Sequence, residues 1–288
     1  MNIELLTHRI INYSSGSAIE KYNGLFYLIG DDATDMLILN SDFSVLSKIN
    51  LFNYDGERIP KPLKHDFEMA TIIDTELLIL GSGSLSPQRE NLVKVNLDNH
   101  KIEIFNLSTA YNFLRNQEIA PEINLEALTF INDKLWLFNR ANLLQMNTLL
   151  LVSPSFLNNE KFELQKLTVK DYFIKNIRMG ISGATYCKEN DILFVTFSAE
   201  NTDNAYDDGE ILGSAIGISK NPIEQLSSEC FEFDQVIILA DYFPIFAQQK
   251  IESICVISVV NENYHLLLVA DNDKGNSELF ELLLSINI

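Results

Sequence analysis

The chain has 288 residues, with 40 acidic against 21 basic side chains and a formal net charge of −19. That charge repels polyphosphate backbones and excludes nucleic acid as a partner, while 47% hydrophobic and 10% aromatic residues exclude a disordered acidic tail. No apolar run approaches the ~18 residues that cross a bilayer, so no membrane partner is expected.

In chain order, short apolar runs bounded by Asn, Asp, Gly and Lys turns predict strands at 3–10, 25–29, 35–39, 44–51, 77–80, 91–95, 101–105, 135–138, 192–197, 264–269 and 278–284. Helical character is confined to 108–117 and a shorter stretch at 222–227. The strands repeat in grammar. Each unit opens on a polar residue followed by a small and an apolar one: Ser17-Ala18-Ile19, Glu68-Met69-Ala70, Glu126-Ala127-Leu128, Ser182-Gly183-Ala184 and Glu252-Ser253-Ile254. The openings are 51, 58, 56 and 70 residues apart. The last unit lacks its outer strand, which residues 3–10 can supply. The expected fold is therefore all-β, a single-domain five-bladed β-propeller over 1–288 whose N-terminal strand closes the last blade. Glu4 and His8-Arg9 interrupt the N-terminus where a signal peptide needs an apolar stretch. Cys187, Cys230 and Cys255 lack metal-ligand spacing, and reduced core thiols in a cytoplasmic protein are expected.

The first strand of each blade lines a propeller's channel, so residues in equal register converge on the axis. Here Ser17, Glu68, Glu126, Ser182 and Glu252 share one level. Two carboxylates about 5 Å apart repel by roughly 3 kcal/mol at an effective dielectric near 20, and three by on the order of 10 kcal/mol. A bridging cation or protonation removes that cost. Mixed Glu and Ser oxygens suit Ca²⁺, Mg²⁺ less because it demands a tighter octahedral cage, and Zn²⁺ not at all without His or Cys. Each second strand returns to the same end, which gathers Asp31, Asp32, Ser82, Ser84, Asn139, Arg140, Ser198, Glu200, Asn201, Asp271 and Asp273 at the mouth. Residues 58–64 add the densest basic stretch there, including Lys64. Arg140 points a permanent cation toward the carboxylates, either as an ion pair with Glu126 or Asp31 or as a substrate contact. His8, His65, His100 and His265 form no triad, Gly81-Ser82-Gly83-Ser84 is not followed by a helix as a P-loop is, and the acidic run from Asp203 to Asp208 reads as a solvated loop.

The order Ser, Glu, Glu, Ser, Glu around five blades resembles the calcium-activated nucleotidases, the apyrase family. Ser17-Ala18-Ile19 with Gly24-Leu25-Phe26-Tyr27 and Asp31-Asp32-Ala33-Thr34 is similar to that family's first blade, and Glu68-Met69-Ala70-Thr71 with Leu78-Ile79-Leu80-Gly81-Ser82 to its second. Tyr111-Asn112-Phe113-Leu114-Arg115 precedes the third opening as a Tyr-Asn-x-Leu-Arg stretch does there. Arg140 falls where the family has arginine, and Ser198-Ala199-Glu200 resembles its fourth-blade pair. Ala33 and Ala141 stand where the family carries arginines, and Gly83-Ser84-Leu85 where it carries an aromatic residue. The resemblance implies one channel Ca²⁺ and hydrolysis of nucleoside di- or triphosphates; the N-terminus, which does not read as a secretion signal, departs from the family's usual setting, and a bacterial, intracellular relative is expected. Asp31 or Asp32 would orient or deprotonate water and Arg140 would stabilise charge. Lys64, Ser82, Ser84, Ser198 and Glu200 would hold a small phosphate substrate or ligand. Two other readings stay open: a non-catalytic calcium-stabilised module that binds a small ligand or a protein at its mouth, and a calcium-dependent hydrolase of a lactone or other ester.

Overall fold

The computed structural model describes residues 2–56, 58–207, 209–271 and 275–286; Asp208 and Asp273, named above, lie outside them. Its strands form five antiparallel-hairpin sheets. Blade 1 runs Gly16–Tyr22, Leu25–Gly30, Asp35–Leu39 and Val45–Asn50 from the inside outward. Blade 2 runs Phe67–Ile73, Glu76–Gly81, Asn91–Asn96 and Ile102–Asn106. Blade 3 runs Leu125–Ile131, Lys134–Asn139, Thr148–Val152 and Leu164–Val169. Blade 4 runs Ile177–Cys187, Ile192–Asn201, Glu210–Lys220 and Gln235–Ile238. Blade 5 runs Lys250–Val260, Asn263–Asp271 and Ser277–Ser285, and Asn2–Ile11 completes it. Each innermost strand packs against those of both neighbouring blades, which closes the ring.

The apolar runs are continuous because a blade is covered on both faces. Phe26 and Leu28 pack toward blade 5, while Tyr27 and Ile29 pack toward blade 2. Leu77 and Ile79 face blade 1, and Leu78 and Leu80 face blade 3. The same split sends Leu193 and Val195 one way and Ile192 and Phe194 the other. Five apolar clusters result, one at each blade interface, and each buried Leu, Ile or Phe contributes about 1.5–3 kcal/mol.

The terminal strand closes the ring as expected: Asn2–Ile11 pairs antiparallel with Ser277–Ser285, and His8 stacks on Phe280 at 4.6 Å. Two blades carry a fifth strand beyond the four-strand grammar. After Glu210–Lys220 the chain makes a 3₁₀ turn at Pro222–Ser227, and Cys230–Phe231 joins the outer strand of blade 3 in parallel before Gln235–Ile238 finishes blade 4. Phe173–Ile174 adds a short edge to blade 4. Two-residue pairings carry no periodicity, so nothing in the apolar pattern announces them.

Candidate functional site

The innermost strands share one irregularity. In all five, the register with the second strand slips at one residue, between Gly16 and Ala18, Phe67 and Met69, Leu125 and Ala127, Ile181 and Gly183, and Ile251 and Ser253. The residues left out of the ladder are Ser17, Glu68, Glu126, Ser182 and Glu252. A bulge re-aims its side chain out of the regular alternation, which is how a strand sandwiched between blades presents a polar group to the channel. Two residues before each bulge stands a second set: Ser15, Asp66, Asn124, Gly180 and Lys250. Across the hairpin from these lie Asp31, Ser82, Arg140, Ser198 and Asp271.

Most of these residues line a cavity of about 120 Å³; Ser82, Gly180, Ser182 and Ser198 do not. Its walls carry eight carboxylates and five cations, a surplus of three negative charges when all are ionised.

On the side of blades 3, 4 and 5 the charges are paired. Arg140, 6% exposed, donates to Glu126 Oε2 at 2.5 Å, Ser198 Oγ at 2.8 Å and Glu200 Oε2 at 3.1 Å, and lies 4.0 Å from Glu252. Lys250 Nζ reaches Glu252 at 3.0 Å and Glu200 at 3.6 Å. Gly180 makes this possible. A Cβ there would sit 2.5 Å from Arg140 Cγ and 2.8 Å from the Ala141 carbonyl, so the arginine stem crosses blade 4 only over a bare backbone.

On the side of blades 1 and 2 the pairing is incomplete. Lys64 bridges Asp31 and Asp66, at 2.7 Å from the latter. Arg89 Nη1 donates to Asp66 Oδ2 at 2.8 Å, and Ser82 and Ser84 donate to the same oxygen. Carboxylate oxygens of Asp31, Asp66 and Glu68 lie within 4.8 Å of one another. Among the described residues Glu68 has no hydrogen-bond or ion-pair partner, and the enclosed Oδ1 of Asp31 has none either. The helix Ser108–Asn116 buttresses the blade-2 loop from behind. Tyr111 donates to the Gly81 carbonyl at 2.5 Å, and Arg115 to that of Gly83 at 2.8 Å. Gly83, at φ +73°, leaves the space the Tyr111 ring fills.

The titration behaviour follows this geometry. Burial, reinforced by Asp66, Asp31 and Glu126, pushes Glu68 well above the usual carboxyl range. Burial, against Lys64 and with Asp66 and Asp32, pushes Asp31 up to about 6. For Asp66 burial is outweighed by Lys64 and Arg89, and its carboxyl is held down. Burial outweighs Lys250 and Arg140 at Glu252, pushed up to about 7, whereas the same two cations prevail at Glu200 and lower it. Each side therefore pairs a raised carboxyl with a lowered one, the arrangement that separates acid from base.

The residues singled out from the sequence do not all meet. Asp31, Lys64, Glu68, Glu126, Arg140, Glu200, Glu252 and Ser17 line the cavity. Asp32 points into an adjoining recess and holds Arg58 at 2.7 Å. Ser82, Ser84 and Ser198 lie behind the wall, bonded to Asp66 or Arg140. Ser17 and Ser182 donate to carbonyls of Phe67 and Ile251 in the next blade, an equivalent latch in both. His65 is half-buried, stacked 4.1 Å from Phe52, and burial lowers the pKa of its imidazole. Asp66, Arg89 and Lys250 were missed. The signal for Asp66 and Lys250 was their equal offset of two residues before an opening; Arg89 is far from any repeat mark. The oxygen donors Asp31, Asp66 and Glu68 fit a hard cation, and no sulfur or imidazole competes.

Structural comparison shows the same fold at low identity. Glutaminyl cyclase of Myxococcus xanthus aligns with a TM-score of 0.59 and 11% identity, over 99% of this chain and 97% of that one. An exo-1,5-α-L-arabinanase from a bovine ruminal metagenomic library aligns with a TM-score of 0.50 and 8% identity, over 94% and 92%. No curated protein matches. No helix is long and apolar enough to cross a membrane among the described residues. Residues 12–284 match the model of a family of unknown function, DUF6929, and the chain belongs to that family.

Proposed function

We propose that the channel mouth is a divalent-cation site on Asp31, Asp66 and Glu68, and that it serves hydrolysis of phosphoanhydrides or phosphoesters of the nucleotidase kind. The observation that carries this reading is Glu68, a carboxylate with no hydrogen-bond partner held among two others within 4.8 Å. Calcium suits the site first and magnesium second, because the donors are loosely spaced oxygens with room for a substrate oxygen. A bound ion supplies Lewis-acid polarisation of a phosphoryl group. Asp31, whose Oδ1 has no hydrogen-bond partner, is placed to orient an attacking water beside the ion. Arg140 is reassigned from transition-state stabiliser to keystone of the carboxylate wall, since its donors already serve Glu126, Glu200 and Ser198. The pairing of Arg140, Lys64, Arg89 and Lys250 with carboxylates favours the second reading, a non-catalytic module whose ion locks the ring and offers the mouth to a small ligand.

The test is Ca²⁺ and Mg²⁺ titration by calorimetry, with phosphate release from nucleoside di- and triphosphates in Ca²⁺ or EGTA. Glu68→Gln removes the charge without breaking a hydrogen bond and should weaken Ca²⁺ binding by at least tenfold, about 1.4 kcal/mol. EGTA-sensitive turnover lost in this variant supports the hydrolase. Binding without turnover leaves the second reading, and no binding of either ion sinks both.

A further inference from the structure

Residues 140–147 join the second and third strands of blade 3 and invert the usual order of a surface loop. Their polar side chains turn inward. Asn142 Oδ1 accepts from the N–H groups of Leu144 and Gln145 at 2.8 and 3.0 Å. Gln145 donates to the Arg140 carbonyl at 2.9 Å and accepts from the Glu122 N–H at 3.1 Å. Asn147 Oδ1 takes the N–H groups of Ala141 and Ile181, both at 2.8 Å, and its amide donates to the Met179 carbonyl at 2.8 Å. Arg178 Nη1 donates to the carbonyls of Asn142, Leu143 and Gln145 at 3.0–3.3 Å while its Nε holds Asp171 at 2.9 Å. With the polar groups used to brace the loop, Leu143, Leu144 and Met146 face water at 42%, 73% and 39% exposure.

Two aromatic side chains extend this patch. Phe173, the strand partner of Arg178, is 50% exposed. Tyr206, 47% exposed, stands on a segment whose Thr202 carbonyl accepts the Leu143 N–H at 3.1 Å. A braced loop that presents apolar side chains meets a partner without further ordering cost, and exposed apolar clusters of this kind mark contact surfaces.

We propose that this rim of blades 3 and 4 is a docking surface for a basic polypeptide segment, with apolar side chains seated on Leu143, Leu144 and Met146 and Lys or Arg facing Glu122, Asp203 and Asp207. Charge selects the occupant. Ala205 N–H bonds Glu122 Oε2 at 2.9 Å, and Asn204 holds Asp203 and Asp207 at 2.9 and 3.1 Å, which fixes three carboxylates beside the patch. Of the cations nearby, Arg178 is tied to Asp171, Arg89 to Asp66 while lying 5.8 Å from the Tyr206 ring, and Lys61 lies 5.1 Å above that ring. A second copy of the chain brings another −19 charge, and an anionic lipid surface is repelled in the same way. A cationic segment is drawn in and oriented by the same field.

The experiment uses the whole protein and a short fluorescein-labelled peptide of Leu and Lys, with a counterpart bearing Glu in place of every Lys, read by fluorescence anisotropy. The Lys peptide should bind and the Glu peptide should not. Combined Leu143→Ser, Leu144→Ser and Met146→Ser substitutions should weaken binding at least tenfold with the melting temperature unchanged. Leu144→Ser alone, at the most exposed position, serves if the triple variant does not fold and should weaken binding measurably. Asp203→Asn with Asp207→Asn should weaken binding at low salt more than at high salt. Binding of the Lys peptide that ignores the serine substitutions overturns the proposal, as does equal binding of both peptides. A dimer seen by sedimentation that the serine variant dissolves, or phosphatidylcholine-vesicle binding that it abolishes, also overturns it by naming a different occupant.

Discussion

Both sides of the channel present carboxylates from inner-strand bulges, Glu68 on blade 2 and Glu126 and Glu252 on blades 3 and 5, and then treat them differently. On the first side Glu126, Glu200 and Glu252 close around Arg140 and Lys250, so the wall supplies its own counter-charge. On the second, Lys64 and Arg89 satisfy Asp66 but leave Glu68 without a partner. The difference teaches that a ring of carboxylates is not one site. The side whose cations are complete is scaffold, and the side with charge left over is where an external cation gains most.

The largest effect is expected from Arg140→Met. It removes the counter-charge of Glu126 and leaves Lys250 alone to serve Glu200 and Glu252, and urea unfolding should show a loss of about 3–5 kcal/mol that Ca²⁺ recovers only in small part because Lys250 still occupies that side. Lys64→Met on the other side should also destabilise, but there millimolar Ca²⁺ should recover most of the loss. Equal recovery in both variants would erase the distinction drawn between the two sides.

Gly180→Ala probes the first side from beneath. Its Cβ would press on the Arg140 stem and the Ala141 carbonyl, and overpacking of this kind costs about 1–3 kcal/mol. Calcium affinity, set across the channel, should stay within about twofold, a difference of ~0.4 kcal/mol. A large loss of affinity with stability intact would move the metal site onto blades 3 to 5.

The smallest expected effect is on pH. Asp31 and Glu252, at about 6 and 7, hold protons more tightly folded than unfolded. Their contribution to stability is therefore complete below their ordinary values near 4, and it is lost as the pH rises through 6 and 7. In EDTA the melting temperature should fall from pH 5 to pH 8, and Ca²⁺ should flatten the Asp31 part of that fall, because the ion takes over from the proton. A rise over the same window would show that these carboxyls are not raised.

The blade count was legible because every blade needs the same thing at the same place, a polar residue at the bulge with a small one within the next two positions, where neighbouring inner strands meet. The two-sided runs such as Leu25 to Ile29 were legible because burial on both faces suppresses alternation. The pairing of charges was not. Lys64 and Arg89 reach their carboxylates from two different loops and Lys250 from the start of blade 5's inner strand, and no spacing encodes which of two nearby acids a flexible cation will choose. Ser82, Ser84 and Ser198 looked like mouth residues because they end apolar strands, yet the chain turns them behind the wall.

By itself the amino-acid order determined the all-β repeat, the closure by a strand at residues 3–10 and the five polar residues that open the inner strands, since these follow from local periodicity and from a ring that must close on itself; the structure extends that strand to Asn2–Ile11 and sets the five residues at bulges. Only the tertiary structure decided which carboxylates are neutralised and which are not, because that choice depends on distances of a few ångströms between groups as far apart in sequence as Glu126, Glu200 and Glu252, and Coulomb energies in a buried channel change steeply over that range.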